Sequence, residues 1–327
     1  MDEYLGLDTM RKRYQELSPY LTRTPVCRWE GRKLNALLPE GAEVTAKLEI
    51  FQKTGTFKAR GALSNVLALT PEQRARGITG ASAGNHAIAI AFAAQAVGVH
   101  AKVVMQSSAN PARIEAARSY GAELIMAVDG KAAFARVDAI AREEGRAVIH
   151  PFEGYNTVLG TAGVGLELME DAPNLEAIVV AVGGGGLVSG IAAAVRAMKP
   201  DCQVFGVEPA GADSMSRSIA KGQPITLDRI DTIADSLAPP MALPYTFSIC
   251  QSHLEDIVTV TDAELCHAMA LMFQDRALAV EPAAAATTAA IIGPLRERLR
   301  GKKIGIIICG SNIDIDRYCE MIRRGLN

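Results

Sequence analysis

Phe51-Gln52-Lys53-Thr54-Gly55-Thr56-Phe57-Lys58-Ala59-Arg60-Gly61-Ala62 decides how the rest of this 327-residue chain is read. Before it, Val44-Thr45-Ala46-Lys47-Leu48-Glu49 alternates in the manner of a strand. After it, Ala62 to Leu69 carries apolar residues at helical spacing. Two lysines, two glycines and two threonines therefore sit where a strand hands over to a helix. A lysine can be held there beside free backbone N–H groups. On its own the stretch also fits a solvated basic loop, and it does not choose between Lys53 and Lys58.

Further along, the pattern alternates between strands and helices. Residues 8–18 read as a surface helix, broken by Ser18-Pro19. Thr70-Pro71-Glu72-Gln73 has a capping residue, a proline at the first helical position and a glutamine three residues on, a helix start. Ile78 to Ala81 is a short strand, Ser82-Ala83-Gly84-Asn85-His86 a turn, and Ala87 to Ala96 an apolar, buried helix. Strands at 101–105, 123–128 and 147–150 alternate with helices starting at Asn110-Pro111 and Lys131. This reads as a small parallel-sheet domain. Then come a loop from Pro151 to Asn156, a helix at 161–169 and a strand from Ile178 to Val182 ending in Gly183-Gly184-Gly185-Gly186. A helix follows from Leu187 to Met198, then a strand from Gln203 to Val207. Pro224, Pro239, Pro240 and Pro244 mark a loop-rich stretch. Thr261-Asp262-Ala263-Glu264 is a capping box, and Glu281 to Ala290 an alanine-rich, closely packed helix. The strand from Ile304 to Ile308 turns at Cys309-Gly310-Ser311-Asn312 into a last helix.

Four successive glycines between a strand and a helix let the backbone wrap a phosphate with N–H donors. The spacing is not that of a dinucleotide fingerprint, although Glu208 after the next strand could imitate its ribose partner. A formal net charge of −2 gives no basic face for nucleic acid. Six cysteines at long spacings form neither a disulfide framework nor a zinc site and fit a reducing compartment. The acidic start Met1-Asp2-Glu3-Tyr4 lacks an apolar signal segment, and no run is long enough for a membrane span, so a cytoplasmic protein is expected.

Lys53 to Ala62, Ser82 to His86 and Gly183 to Leu187, in that order, resemble the motifs of the threonine/serine dehydratase family. These are pyridoxal-phosphate enzymes of the tryptophan-synthase-beta-like fold (fold type II). The resemblance runs over nearly the whole chain. It implies two open twisted-sheet α/β domains: a large one at 1–75 and 151–327, and a small one at 76–150 that closes over the substrate. It implies pyridoxal 5′-phosphate as cofactor and Lys58, directly after Phe57, as the Schiff-base lysine and Cα base. Phe57, Asn85, Gly183, Gly184, Gly185, Gly186, Leu187, Glu281 and Cys309 are implied as further cofactor contacts. Ser82, Ala83, Gly84, Asn85 and His86 are implied to frame the substrate carboxylate. Glu281 could instead be a helix-start carboxylate, and Cys309 a small buried hydrophobe. The family usually forms homodimers.

Several positions depart from the family pattern. Ala83 stands where racemases of the family carry a second serine that acts as acid and base on the opposite face. Leu159-Gly160-Thr161-Ala162-Gly163, Ala234-Asp235-Ser236 and the loop from Pro151 to Asn156 also differ, and are expected near the substrate. Some relatives hold a divalent cation at positions matching Glu208, Ala212 and Ser214. The serine in place of an acid weakens such a site, so no metal is expected. The chain ends soon after the Cys309 turn, which implies no regulatory domain and no isoleucine feedback.

The expected activity is elimination of water from a β-hydroxy L-amino acid to give a 2-oxo acid and ammonia. The substrate is threonine- or serine-like, or larger, such as phenylserine or a hydroxyectoine-derived amino acid. The alternatives are an amino-acid racemase or dual racemase-dehydratase, a β-replacement enzyme, and a non-catalytic protein that binds the cofactor. No nucleic-acid or membrane partner is expected.

Overall fold

The computed structural model describes residues 5–326; the acidic start Met1-Asp2-Glu3-Tyr4 lies outside the described residues. The strands in chain order are β1 (Val26–Arg28), β2 (Glu43–Leu48), β3 (Ile78–Ala81), β4 (Ala101–Gln106), β5 (Glu123–Ala127), β6 (Ala147–Val148), β7 (Ala177–Ala181), β8 (Gln203–Pro209), β9 (Asp256–Val260) and β10 (Lys303–Ile308). They form two sheets. One has the order β1-β2-β10-β7-β8-β9, the other β5-β4-β3-β6. Every pairing is parallel except β1 with β2.

The helices are α1 (Leu7–Leu17), α2 (Leu34–Leu37), α3 (Lys58–Leu67), α4 (Pro71–Arg76), α5 (Asn85–Val97), α6 (Pro111–Ser119), α7 (Gly130–Glu144), α8 (Tyr155–Asp171), α9 (Gly186–Met198), α10 (Ser214–Lys221), α11 (Pro244–His253), α12 (Asp262–Arg276), α13 (Pro282–Ile292) and α14 (Ile315–Leu326). Parallel strands need crossover connections, which these helices supply, and both faces of such sheets are covered. The central strand β7 shows this most fully: all five of its residues are apolar and buried. α13 is buried from Pro282 to Ile291 and packs on β7 and β10. α5 is buried along Asn85–Ala94. None of the helices among the described residues is long and apolar enough to cross a membrane.

The capping boxes expected at Thr70 and Thr261 are both formed, each side chain accepting from the third helical amide. Three expectations change. The helix read from Ala62 starts at Lys58, because Phe57, Thr56 and the 309–312 turn hold the chain in place before the apolar periodicity begins. The helix read from Thr161 starts at Tyr155, so Tyr155 and Asn156 leave the loop. The proline-marked stretch ends in a helix, with Pro244 at its first position, where a missing N–H costs nothing. β1 was not legible: three residues after a proline carry no period.

Candidate active site

The site is built where strands end. Lys58 follows β2, the Ser82–His86 turn follows β3, His150 follows β6, the four glycines follow β7 and Cys309 follows β10. Carboxyl ends of parallel strands are where open α/β sheets bind ligands. The two sheets thus bring together segments more than 200 residues apart. One cavity is lined by Phe57, Lys58, Asn85, Phe152, Gly183 to Leu187, Glu281 and Cys309, among others. A second, smaller one shares Phe57, Lys58 and Gly186 and adds His86 and His150.

Lys58 is separated from its competitor by burial. Lys53 is exposed, whereas Lys58 is half-buried and its Nζ donates to the Pro151 carbonyl at 2.7 Å. Loss of solvent pushes the Lys58 ammonium down to about 8, with the Glu281 carboxylate acting in the opposite direction. The loop before it is clamped to the turn after β10. The Phe57 amide donates to Cys309 O, the Ser311 amide to Gly55 O, and Asn312 Nδ2 to Thr54 O.

Asn85, 6% exposed at the start of α5, donates through Nδ2 to both Glu281 oxygens at 2.9 Å, and its Oδ1 accepts from Asn312 Nδ2. Glu281 is the N-cap residue of α13 but makes no side-chain cap bond. Its carboxylate faces Asn85 instead of the amides of its own helix. Burial pushes its carboxyl up, opposed first by Arg113. The Cys309 thiol is held well above its ordinary range by burial and by Glu281, so it remains protonated. Within the turn, the Ser82 hydroxyl accepts from the Gly84 amide, and Ala83 offers no functional group. His86 Nε2 donates to the Ile149 carbonyl, and desolvation takes the ring down to about 3. His150 accepts through Nδ1 from the Phe152 and Glu153 amides, and desolvation takes it to about 4. Both imidazoles are neutral near pH 7.

The four glycines stand between β7 and α9 as expected, but sequence reasoning missed what covers them. Phe152 packs so closely on Gly184 that a Cβ there would lie 2.2 Å from its ring, and Gly185 has φ +87°. Glu153 fastens this covering loop by accepting from the Tyr245 and Thr246 amides at the start of α11. Arg113 was missed as well; its only sequence signal is a basic residue on a helix of the small sheet's layer.

Two expectations about position are corrected. Gly160 and Gly163 lie inside α8 and serve close packing: a Cβ at Gly160 would stand 2.4 Å from Arg60 O, and one at Gly163 3.1 Å from the Tyr14 ring. Of that stretch Thr161 lines the smaller cavity and donates to Gly186 O. Glu208, weighed as a cation ligand or ribose partner, accepts from the Met215 and Ser216 amides at the start of α10. Burial pushes its carboxyl up to about 7. Ala212 is buried and its amide bonds to Pro209 O. Among the described residues no group of three or more His, Cys, Asp or Glu could hold a metal ion.

The residues fit pyridoxal phosphate. A desolvated lysine of lowered pKa supplies the amine. The first turn of α9 is buried and has no side-chain cap, so its N–H groups are available to a phosphate. The family model for pyridoxal-phosphate-dependent enzymes matches residues 17–310. The chain is 48% identical to phenylserine dehydratase of Ralstonia pickettii, covering 87% of each chain. It is 36% identical to L-threonine ammonia-lyase of Thermotoga maritima, covering 88% of this chain and 71% of the relative. The structure of maize serine racemase superposes with a TM-score of 0.91 at 32% identity over 98% of both chains.

Proposed function

Because the chain belongs to the pyridoxal-phosphate-dependent enzymes of fold type II, acting on amino acids with pyridoxal 5′-phosphate as cofactor, we propose that it is a deaminating dehydratase. It eliminates water from a β-hydroxy L-amino acid and releases a 2-oxo acid and ammonia. The carrying observation is that, among the described residues, the cleft offers one amine base and no second one on the opposite side in the 82–86 turn. The Lys58 amine is lowered to about 8, whereas residue 83 is alanine, the Ser82 oxygen accepts from the Gly84 amide, and His86 is tied to Ile149. Elimination can proceed with one base; racemisation needs a proton delivered from the opposite face.

In this reading the N–H groups of Gly183 to Gly186 and Leu187 hold the phosphate. Phe57, Asn85 and Glu281 line the ring, and Cys309 is its neutral partner at the nitrogen. When bound, the cofactor supplies an electron sink for the pair left on Cα. Lys58 holds the cofactor and then takes the Cα proton. The 82–86 turn orients the substrate carboxylate. The small domain, 76–150, closes over the cleft and excludes water. The likeness to phenylserine dehydratase and the aromatic cover at Phe152 favour a bulky, aryl-bearing substrate. The proposal extends to a cytoplasmic homodimer, and the six free cysteines are in keeping with a reducing compartment.

The test is release of 2-oxo acid and ammonia from phenylserine, L-threonine, L-serine, both 3-hydroxyaspartates and hydroxyectoine-derived amino acids, with Lys58→Ala as control. Turnover led by phenylserine and abolished in the control is expected. Inversion at Cα without 2-oxo acid would overturn the dehydratase in favour of a racemase.

A further inference from the structure

Arg113 stands on α6, which packs on α5 and β5 in the layer of the small sheet. Yet its guanidinium hydrogen bonds, among the described residues, all reach the other side of the cleft. Nε and Nη2 donate to the Asn312 carbonyl at 3.2 and 2.9 Å, and Nη1 donates to Asp235 at 2.7 Å. Tyr120 makes a cross-cleft contact of a different kind: its hydroxyl donates to the Lys53 carbonyl at 3.1 Å and leads no further into the site.

Asn312 carries the contact inward. Its side-chain nitrogen donates to Asn85 Oδ1 and to Thr54 O, both at 2.9 Å. A second branch passes through Asp235 to its neighbour Ser236, whose Oγ accepts from Asn85 Nδ2 at 3.3 Å. The branches meet at Asn85, whose nitrogen also serves Glu281. Nη2 of Arg113 itself lies 3.7 Å from Glu281.

We propose that Arg113 is a positioning residue that couples closure of the cleft to the orientation of Asn85. An asparagine amide has one accepting and one donating end. Asn312 Nδ2 can only donate, so it selects the accepting end of Asn85 and turns the donating end toward Glu281 and the cavity. Arg113 and Asn85 both stand on helices of the small sheet's layer, so if that sheet swings away both leave Asn312 and Asp235. Asn312 O and Asp235 then lose the guanidinium, Glu281 loses its nearby cation, and Asn85 loses the donor that fixed its accepting end. The 82–86 turn is within reach of the same cation, since a Cβ at Gly84 would lie 3.2 Å from Nη1. A carboxylate arriving at that turn would therefore favour the closed arrangement. The proposal rests on the assignment of Asn85 to the cofactor, not on the identity of the substrate.

The test uses the purified holoenzyme and reads the visible absorption band of the bound cofactor, its dissociation constant by dialysis, and kcat and KM. Arg113→Ala is expected to move the band and weaken cofactor retention by about tenfold, the scale of one hydrogen bond to an ordered group. Arg113→Lys, which keeps the charge without the planar fork, should restore part of both effects. Tyr120→Phe, which loosens the cleft without touching the relay, should leave the band in place. Asn312→Ala cuts the relay from the other side and should repeat the band shift, which covers a poorly folding Arg113→Ala. A raised KM with an unmoved band in both Arg113→Ala and Asn312→Ala would reduce Arg113 to a clasp and overturn the relay. An equal shift in Tyr120→Phe would do the same. An unmoved band in Asn85→Ala would overturn the Asn85 assignment and the relay with it. Because the spectral readout needs no substrate, none of these three outcomes is confused with a wrong choice of reaction.

Discussion

Lys58 is a cation for which the cavity makes charge expensive. Desolvation lowers it from 10.5 to about 8. At pH 7 about a tenth of such an amine is neutral, against less than about a thousandth of a free lysine. Only the neutral form attacks an aldehyde. Protein stripped of its cofactor is therefore expected to recapture it at a rate that rises with pH to about 8 and then levels, followed by absorbance after mixing. A rate still climbing toward pH 10 would mean the amine is unperturbed. His86 and His150 titrate at about 3 and 4, so neither bends the profile above pH 6. At this scale the sequence could present two lysines but not choose between them by itself. The choice came from resemblance, and structurally it lies in which lysine the fold removes from water.

α3 carries Lys58 and is fixed by a buried charge cluster two residues on. Arg60, 1% exposed, makes paired bonds to Glu49 at 2.8 Å and to Glu167 at 2.8 and 3.0 Å. Lys47 completes the cluster, donating to Thr24 O and pairing with Glu167. β2, α3 and α8 are thereby held in one register. Arg60→Met would leave two buried carboxylates facing one lysine. Breaking a buried pair from one side costs about 3–5 kcal/mol, and that loss is expected in urea unfolding of the variant; an unchanged midpoint would show the cluster to be neutral. The helix periods, both capping boxes and the alanine-rich α13 were legible, because each depends on residues within one or two turns. The glycines of α8 were not. Their meaning depends on the backbone of α3, which stands 2.4 Å from where the Gly160 Cβ would be.

At the scale of the whole molecule, the parallel strands of two sheets direct their carboxyl ends into one cleft, and the buried first turn of α9 is left without a side-chain cap. In the proposed reading those N–H groups hold the cofactor phosphate, and removing the cofactor would take that partner away. Amide hydrogen exchange is expected to accelerate at Gly183–Leu187 and in the clamped segments 53–58 and 309–312, while α12 and α13 keep their protection. The melting temperature should rise with added cofactor, as for any ligand held by the folded state alone. Uniform exchange with and without the cofactor would place it elsewhere.

The sequence by itself determined the alternation of strands and helices, the strand-to-helix turns that could carry chemistry, and through three ordered motifs the family and its cofactor. These signals are local: a cap, a period or a glycine run acts within a few residues of itself. Only the tertiary structure decided that Glu281 faces Asn85 rather than capping α13, that Glu208 closes α10, and that Phe152 covers the glycine loop. The same holds for Arg113 and Asn312, 199 residues apart, and for Arg60 and Glu167, 107 apart. Such pairs form because burial leaves a polar group no solvent to bond with, and which partner it finds depends on the packing of elements that no short spacing encodes.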